Sequence, residues 1–343
     1  MSDSSLLTLT DYGLYCAAGD FFIDPWKPVK RAVVTHAHAD HYARGCGAYL
    51  VAAPGERIFR LRLGDGAVMN CVPFGEMVDM QGVTVSLHPA GHILGSAQIR
   101  VEHRGEVWVV SGDYKREADP TCAPFEVVPC HTFITEATFG LPIYRWQPQR
   151  EIFEQINQWW RGNQAAGKAS IILGYALGKA QRIIAGVDPA IGSIYTHGAV
   201  EQVTRAYRQS GVQLTQTTYV KATLQPDWTQ ALIVAPPSAQ GSVWTRQFGN
   251  QSSAFVSGWM RLRGTRRRRA VDRGFVLSDH VDWTDLIHTI SDTGAERIGV
   301  THGYVAPVTR WLTEQGYDAF TIGTRFAGEE GDADDKDDDT NLD

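Results

Sequence analysis

In the first part of the chain, short apolar runs alternate with polar turns. Arg31–Thr35, Val83–Pro89 (VTVSLHP), Ser96–Glu102, Glu106–Val110 (EVWVV) and His131–Thr135 each predict a strand, and HRGE between two of them predicts a hairpin turn. The period then lengthens. After Pro148, the stretch QREIFEQINQWWRGNQAAGK carries Ile152, Phe153, Ile156 and Trp159 at helical spacing. Strand-like and helix-like segments alternate from there: ASIILGYAL then GKAQRIIAGV, GSIYTHG then AVEQVTRAYRQSG, followed by ALIVAPP and SAFVSGW. That alternation predicts a parallel sheet with crossover helices. GFVLSDHVDW, TDLIHTISDTG, RIGVTHG and a last helix before GYDAFTI resume the earlier pattern. The chain therefore reads as a β-rich scaffold over residues 1–147, an α/β insertion over 148–272, a return to the scaffold over 273–326, and a disordered tail over 327–343. No internal repeat is visible.

Composition changes this picture little. The hydrophobic share of 43% and charged share of 20% over 343 residues are ordinary for a soluble globular protein. No apolar run approaches the roughly 18 residues of a membrane helix. The start, MSDSSLLTLTDYG, lacks the basic and apolar regions of a secretory signal, so the expected setting is cytoplasmic, without a membrane partner. Five cysteines form no CxxC pair, which argues against a disulfide framework and a cysteine-based zinc site.

Charge is distributed unevenly. The net charge is -6, but Glu329–Asp343 holds nine acids and one lysine, so residues 1–328 sum to +2. An acidic tail of this composition is expected to be solvated and disordered. The opposite bias sits in RLRGTRRRR, where Arg266, Arg267, Arg268 and Arg269 could grip a nucleic-acid backbone, although a solvated basic loop is the usual reading of such a run.

The candidate chemistry follows the strands. THAHADH, GHILGS, SGDYK, TEATFG, LSDHVD and VTHG each come directly after an apolar run. Strand ends along one edge of a sheet converge, so His and Asp at six of them are expected to build one pocket. In the first cluster, His36 and His38 can chelate one ion, while Asp40 and His41 reach a second. Imidazole and carboxylate donors suit Zn²⁺, and also Mn²⁺ or Fe. A lone histidine is more often structural, but four potential ligands in six residues point to metal. Two residues per ion are too few, and His92, Asp113 and His302 are the candidates to complete the sites, with Asp113 able to bridge. Two ions roughly 3.5–4 Å apart activate water and clamp a phosphate during in-line attack. GYALGK invites a phosphate-loop reading, but G-x-x-x-x-G-K-[ST] fails in both spacing and final residue, so an ATPase is excluded. Lys179 could still meet a substrate phosphate near a helix start, or be a plain surface lysine. His88, His103, His131, His197 and His288 show no partner pattern, and Trp159, Trp160 and Tyr144 read as packing residues.

The cluster THAHADH resembles the HxHxDH motif of the metallo-β-lactamase fold, and Asp24 in FFIDP stands where that fold carries a supporting aspartate. EATFG with Glu136, SDHVD with His280 and THG with His302 resemble motifs A, B and C of the β-CASP nucleases, and GYALGKAQR resembles their strand–turn–helix segment. The resemblance spans residues 24 to 303 and is similar above all to bacterial DNA ligase-associated exonucleases. It implies an α/β fold: a metallo-β-lactamase αββα sandwich with a compact inserted β-CASP-like domain at 148–272. It implies two divalent ions, Zn or Mn: His36, His38, His92 and Asp113 on the first, Asp40, His41, Asp113 and His302 on the second. It implies His280 as general acid, oriented by Glu136, with Asp40 in the catalytic set. The implied activity is a metal-dependent DNA exonuclease in repair, with DNA as partner and an ATP-dependent DNA ligase and helicase as associates. Ser278 and Asp279 could support His280, and Asp282 could stand behind a metal ligand. Two departures stand out: the insertion is short for the RNA-processing members, and His302 is present where the DNA-repair branch generally lacks a histidine.

Three alternatives remain at this level. One is the same chemistry on RNA. Another is a small-molecule metallo-hydrolase, which the insertion, Glu136 and the arginine run disfavour. The last is a non-catalytic scaffold, which the complete ligand set disfavours.

Overall fold

In the computed structural model, the described residues are 5–222, 227–262, 264 and 271–324. Arg266, Arg267, Arg268, Arg269 and the acidic tail lie outside them. The chain divides into two compact units, one from the N-terminal residues to Arg145 together with His280 onward, the other Trp146–Asp279.

The first unit contains two sheets. One is ordered β1 (Thr8–Thr10), β2 (Gly13–Cys16), β3 (Phe21–Ile23), β4 (Arg31–Val33), β5 (Ala48–Ala52), β6 (Met69–Val72). It begins antiparallel and is parallel from β3 onward. Along the other, β7 (Val78–Met80), β8 (Val83–Pro89), β9 (Ala97–His103), β10 (Glu106–Val110) and β11 (Thr132–Ala137) are neighbours in chain order.

The second unit holds β12 (Ala169–Leu173), β13 (Ile194–Thr196), β14 (Thr217–Tyr219), β15 (Leu232–Ala235), β16 (Gln251–Val256) and β17 (Arg273–Phe275) in one sheet, order β14-β13-β15-β12-β16-β17. All its pairings are parallel. The chain then returns to the first unit, where β18 (Arg297–Gly303) pairs with β11 and β19 (Asp318–Thr321) closes that sheet. The return lies at His280, later than residue 273, because β17 pairs with β16 and belongs to the second unit's sheet.

Side-chain alternation explains the packing. Val83, Val85 and Leu87 of β8 share a core with Ile99 and Val101 of β9, Trp108 and Val110 of β10, and Phe21, Val33 and Leu50 of the other sheet. The intervening positions Val109 and Phe133 pack with Leu286 and Ile290 of the helix Trp283–Thr293 and Val308 and Leu312 of the helix Val305–Glu314. β10 and β11 are covered on both faces, which is why they read as continuous apolar runs. In the second unit, Ile152, Ile156 and Trp160 of the helix Gln149–Ala165 pack with Ile172, Val234 and Val256. Ile171, Ile233 and Phe255 face the opposite side with Phe248 and Met260. Tyr144 and Trp160 are fully buried, as packing residues should be. No helix among the described residues is long and apolar enough to cross a membrane.

Phe21 is fully buried in the core that the two sheets share. Phe21→Ala is expected to cost about 3–5 kcal/mol in urea unfolding. A loss below about 0.5 kcal/mol, the level of an ordinary surface change, would show that the two sheets do not depend on this contact.

Candidate metal centre

Strand direction assembles the site. β9 is antiparallel to both β8 and β10, so β8 and β10 run the same way, and β11 and β18 run parallel to β10. Four strands therefore end or lie along one edge. His92 follows β8, Asp113 follows β10, Glu136 lies near the end of β11, and His302 lies near the end of β18. The loop after β4 brings His36, His38, Asp40 and His41 to the same place, tied by the Ala97 amide donating to the Thr35 carbonyl at 2.8 Å. Ligands bind outside the carboxyl ends of strands in sheets of this kind.

Backbone detail sharpens the convergence. Gly112 has φ 57°, and a Cβ there would stand 2.6 Å from Cβ of Thr35. Only glycine lets the Asp113 turn press onto the histidine loop. At the other end, the β11–β18 register shifts between Glu136 and Ala137. His302 itself sits at φ 53°, and a Cβ on Gly303 would collide with the Thr138 backbone. This irregularity re-aims the side chains of both strand ends, the usual use of such a bulge.

Three groups of potential ligands result: His36, His38, His92 and Asp113; Asp40, His41 and His302; and Asp113, Glu136 and His280. Within each, the donor atoms lie within 4.8 Å of one another. His36 Nε2 and His92 Nε2 are each 3.1 Å from His38 Nδ1. That is close to the edge of a tetrahedron with metal–nitrogen bonds of about 2.0–2.1 Å. Asp113 Oδ2 lies 3.5 Å from His36 Nε2, 3.4 Å from His41 Nε2, 3.8 Å from His92 Nε2 and 3.8 Å from His280 Nδ1. One carboxylate oxygen thus stands between the groups.

The surrounding hydrogen bonds select the tautomers. Thr35 donates its amide and its hydroxyl to Asp24, at 2.8 and 2.6 Å. Its proton spent, the hydroxyl accepts from His36 Nδ1 at 3.1 Å. Asp24 Oδ2 accepts from His41 Nδ1 at 2.8 Å. Both rings then direct Nε2 inward, the arrangement by which outer carboxylates orient metal-binding imidazoles. Asp24 holds φ 43°, a strained backbone kept in place by these bonds.

Electrostatics fit a cation. Burial pushes the His36 ring well below the usual histidine range, and His41 beside it pushes the same way. His41 is equally buried, but the carboxylates of Asp40 and Asp113 outweigh that burial and hold it well above the usual value. Asp113 is pulled well below the carboxylate range because His41 and His280 outweigh its burial. His41 Nε2 is nevertheless a buried atom without a hydrogen-bond partner. An inward-facing orphan nitrogen among carboxylates is what a divalent ion would satisfy, so the residues fit the metals their motif implies.

Beside this cluster, His280 Nδ1 meets Glu136 Oε2 at 2.9 Å, and the fully buried Glu136 also accepts the Tyr114 amide at 2.8 Å. The remaining sequence candidates are not among the three ligand groups. Asp282 caps the helix Trp283–Thr293 by accepting from the Asp285 amide at 2.8 Å. Lys179 is buried and paired with Asp279 at 2.7 Å, so it is not a surface lysine. His131 Nδ1 accepts from the Val107 amide, and His197 caps the helix Gly198–Gln209. Thr35 was not singled out by sequence reasoning, and only its place beside the histidine motif could have flagged it.

Comparison with known proteins adds lineage. No family model matches the chain. A probable DNA ligase of Opitutus terrae is 30% identical over 320 residues, which cover 91% of this chain and 30% of that protein. Endoribonuclease YSH1 of Eremothecium gossypii is 29% identical over 122 residues, 35% of this chain and 16% of that protein. The chain thus spans less than a third of the length of either relative. Among solved structures, a protein of unknown function from Enterococcus faecalis V583 superposes with TM-score 0.57 at 12% identity, covering 87% of this chain and 80% of that one, which speaks to fold alone. The histidine motif, Glu136, His280 and His302 gathered at one sheet edge, together with relatives of this kind, agree with the resemblance to the metallo-β-lactamase-fold β-CASP nucleases.

Proposed function

We propose that the protein is a metal-dependent nuclease that hydrolyses DNA, acting as an exonuclease in repair alongside an ATP-dependent DNA ligase in the cytoplasm. The observation that carries the nuclease reading is Asp113 Oδ2 standing between two sets of imidazole donors, which together would hold two divalent ions. The choice of DNA is supported by the ligase-named relative, whose match runs over nearly the whole chain. On this reading the first unit is an αββα sandwich and the second is the inserted β-CASP-like domain.

His36, His38, His92 and Asp113 would hold one divalent ion, and Asp40, His41, Asp113 and His302 the other, as Zn or Mn. Such ions, when bound, supply Lewis-acid stabilisation of phosphoryl charge and make water a nucleophile at neutral pH. The chain's own residues do the rest. Asp24 and Thr35 fix the ring orientations of His41 and His36. Glu136 accepts from His280 Nδ1 and orients the ring, so that His280 donates a proton to the leaving oxygen. Arg266–Arg269 would contact substrate phosphates, with affinity falling as salt rises. A second reading, RNA cleavage, is favoured by the relative named as an endoribonuclease.

End-labelled single-stranded DNA and matched RNA, incubated with the Mn²⁺- or Zn²⁺-loaded protein, separate these readings. The expected result is stepwise shortening of DNA, abolished in the Asp40→Ala/His41→Ala double variant. Cleavage of RNA alone would transfer the assignment to the second reading. Cleavage of neither, with two ions bound per chain by elemental analysis, would move it to a small-molecule hydrolase.

Removing the proton donor has a separate signature. His280→Ala is expected to keep its metal content but lose about 10²–10⁴-fold in kcat. A variant that loses metal along with activity would instead make His280 a ligand.

A further inference from the structure

The segment that leads into His280 is held by a buried ionic cluster of the second unit. Lys179 Nζ lies 2.7 Å from Asp279 Oδ2, and Arg182 Nε lies 3.1 Å from Asp279 Oδ1. The Arg182 guanidinium also donates to the Ser278 carbonyl at 3.2 Å. All three charged side chains are at most 5% exposed. The helix Lys179–Gly186 places both cations on one face, since they are three residues apart. Its start is fixed by Gly178 at φ 87°, whose amide donates to the Gln181 side chain at 2.8 Å. Gly174 makes room for the lysine stem, because a Cβ there would stand 2.9 Å from Lys179 Cγ. Sequence and packing are thus built to present two cations to one carboxylate.

That carboxylate belongs to the residue immediately before His280. Buried ion pairs contribute little net stability, because desolvating both charges offsets their attraction, but they hold geometry, and breaking one leaves an uncompensated charge. An anion-binding loop with no exposed cation is a poor phosphate site and a good anchor.

We infer that Lys179 and Arg182 are positioning residues for His280: they clamp Ser278–Asp279 so that the following imidazole keeps its place on Glu136. This rests on the nuclease reading for its kinetic consequence, but not for its structural one. It also reassigns Lys179, which would otherwise be taken as a substrate-phosphate contact.

The test uses the full-length, metal-loaded protein and Lys179→Met, with Lys179→Met/Asp279→Asn as a second variant that removes both charges of the pair. Two substrates are compared: single-stranded DNA, whose alkoxide leaving group needs a proton, and bis(p-nitrophenyl) phosphate, whose leaving group departs without one. If the clamp positions the acid, Lys179→Met lowers kcat on DNA about 10–100-fold at unchanged KM, a part of the roughly 10²–10⁴-fold that a general acid contributes. The loss on the activated ester is then small, and adding Lys179→Met to His280→Ala costs little more. A raised KM and a shallower salt dependence at unchanged kcat would mark a phosphate contact and overturn the inference. Equal losses on both substrates would also overturn it. Independently of activity, amide hydrogen exchange over residues 276–282 should quicken at least tenfold in both variants. If the parent cleaves neither substrate, the nuclease reading fails, and the exchange result still decides the clamp: unchanged protection there sinks it.

Discussion

A buried carboxylate sets the terms for this molecule. Asp113 sits below the surface with four imidazole nitrogens within 3.8 Å of one of its oxygens. An isolated charge there would be prohibitively costly, and a carboxylate so placed needs positive charge around it. The histidines supply part of it, which is why Asp113 is pulled down and His41 is held up, each against its own burial. Every other feature of the site follows from having to bring those rings to that oxygen from three separate stretches of chain. Strands running in one direction do this economically, because their ends arrive together on a scaffold whose rigidity comes from the core behind it.

The convergence is bought with local strain. Asp24 and His302 are non-glycine residues in the left-handed region, and the β11–β18 register slips at Glu136. Such conformations persist only where the surroundings over-determine them. Here the Asp24 side chain accepts two bonds from Thr35 and one from His41, β11 is packed on both faces, and β18 is held between β11 and β19. The apolar layers and the polar centre are therefore one mechanical system: the inter-sheet core holds the strand ends, and the strand ends hold a geometry that the loops could not keep alone.

How much of this the sequence made legible depended on distance along the chain. Val83–Pro89 and Glu106–Val110 read as strands because alternation or continuous burial is a local signal, and they form β8 and β10 over those residues. The histidine motif is local too, and its spacing alone points to metal. Glu136 was expected just past a strand ending at Thr135; it lies inside β11, because pairing with β18 continues through it, and no single-strand pattern reveals a neighbour's register. Asp282 reads as a residue that could stand behind a metal ligand; an aspartate three residues ahead of Asp285 at a helix start is also a cap, and it accepts the Asp285 amide there. Thr35 carried no signal of its own.

Lys179 shows the same limit from the other side. A glycine followed by lysine at a helix start is a phosphate-binding pattern, and locally the geometry keeps that promise: a left-handed glycine, a helix beginning, an ammonium at its first turn. What the pattern omits is the identity of the anion. Here it is Asp279, a hundred residues further on, and the cation is enclosed with it. The physical logic of an anion site is retained while its occupant has become part of the chain. The same elements that would bind a phosphate in an open loop then serve to fix a backbone segment, and a motif's chemistry is read correctly only once the partner that satisfies its charge is known.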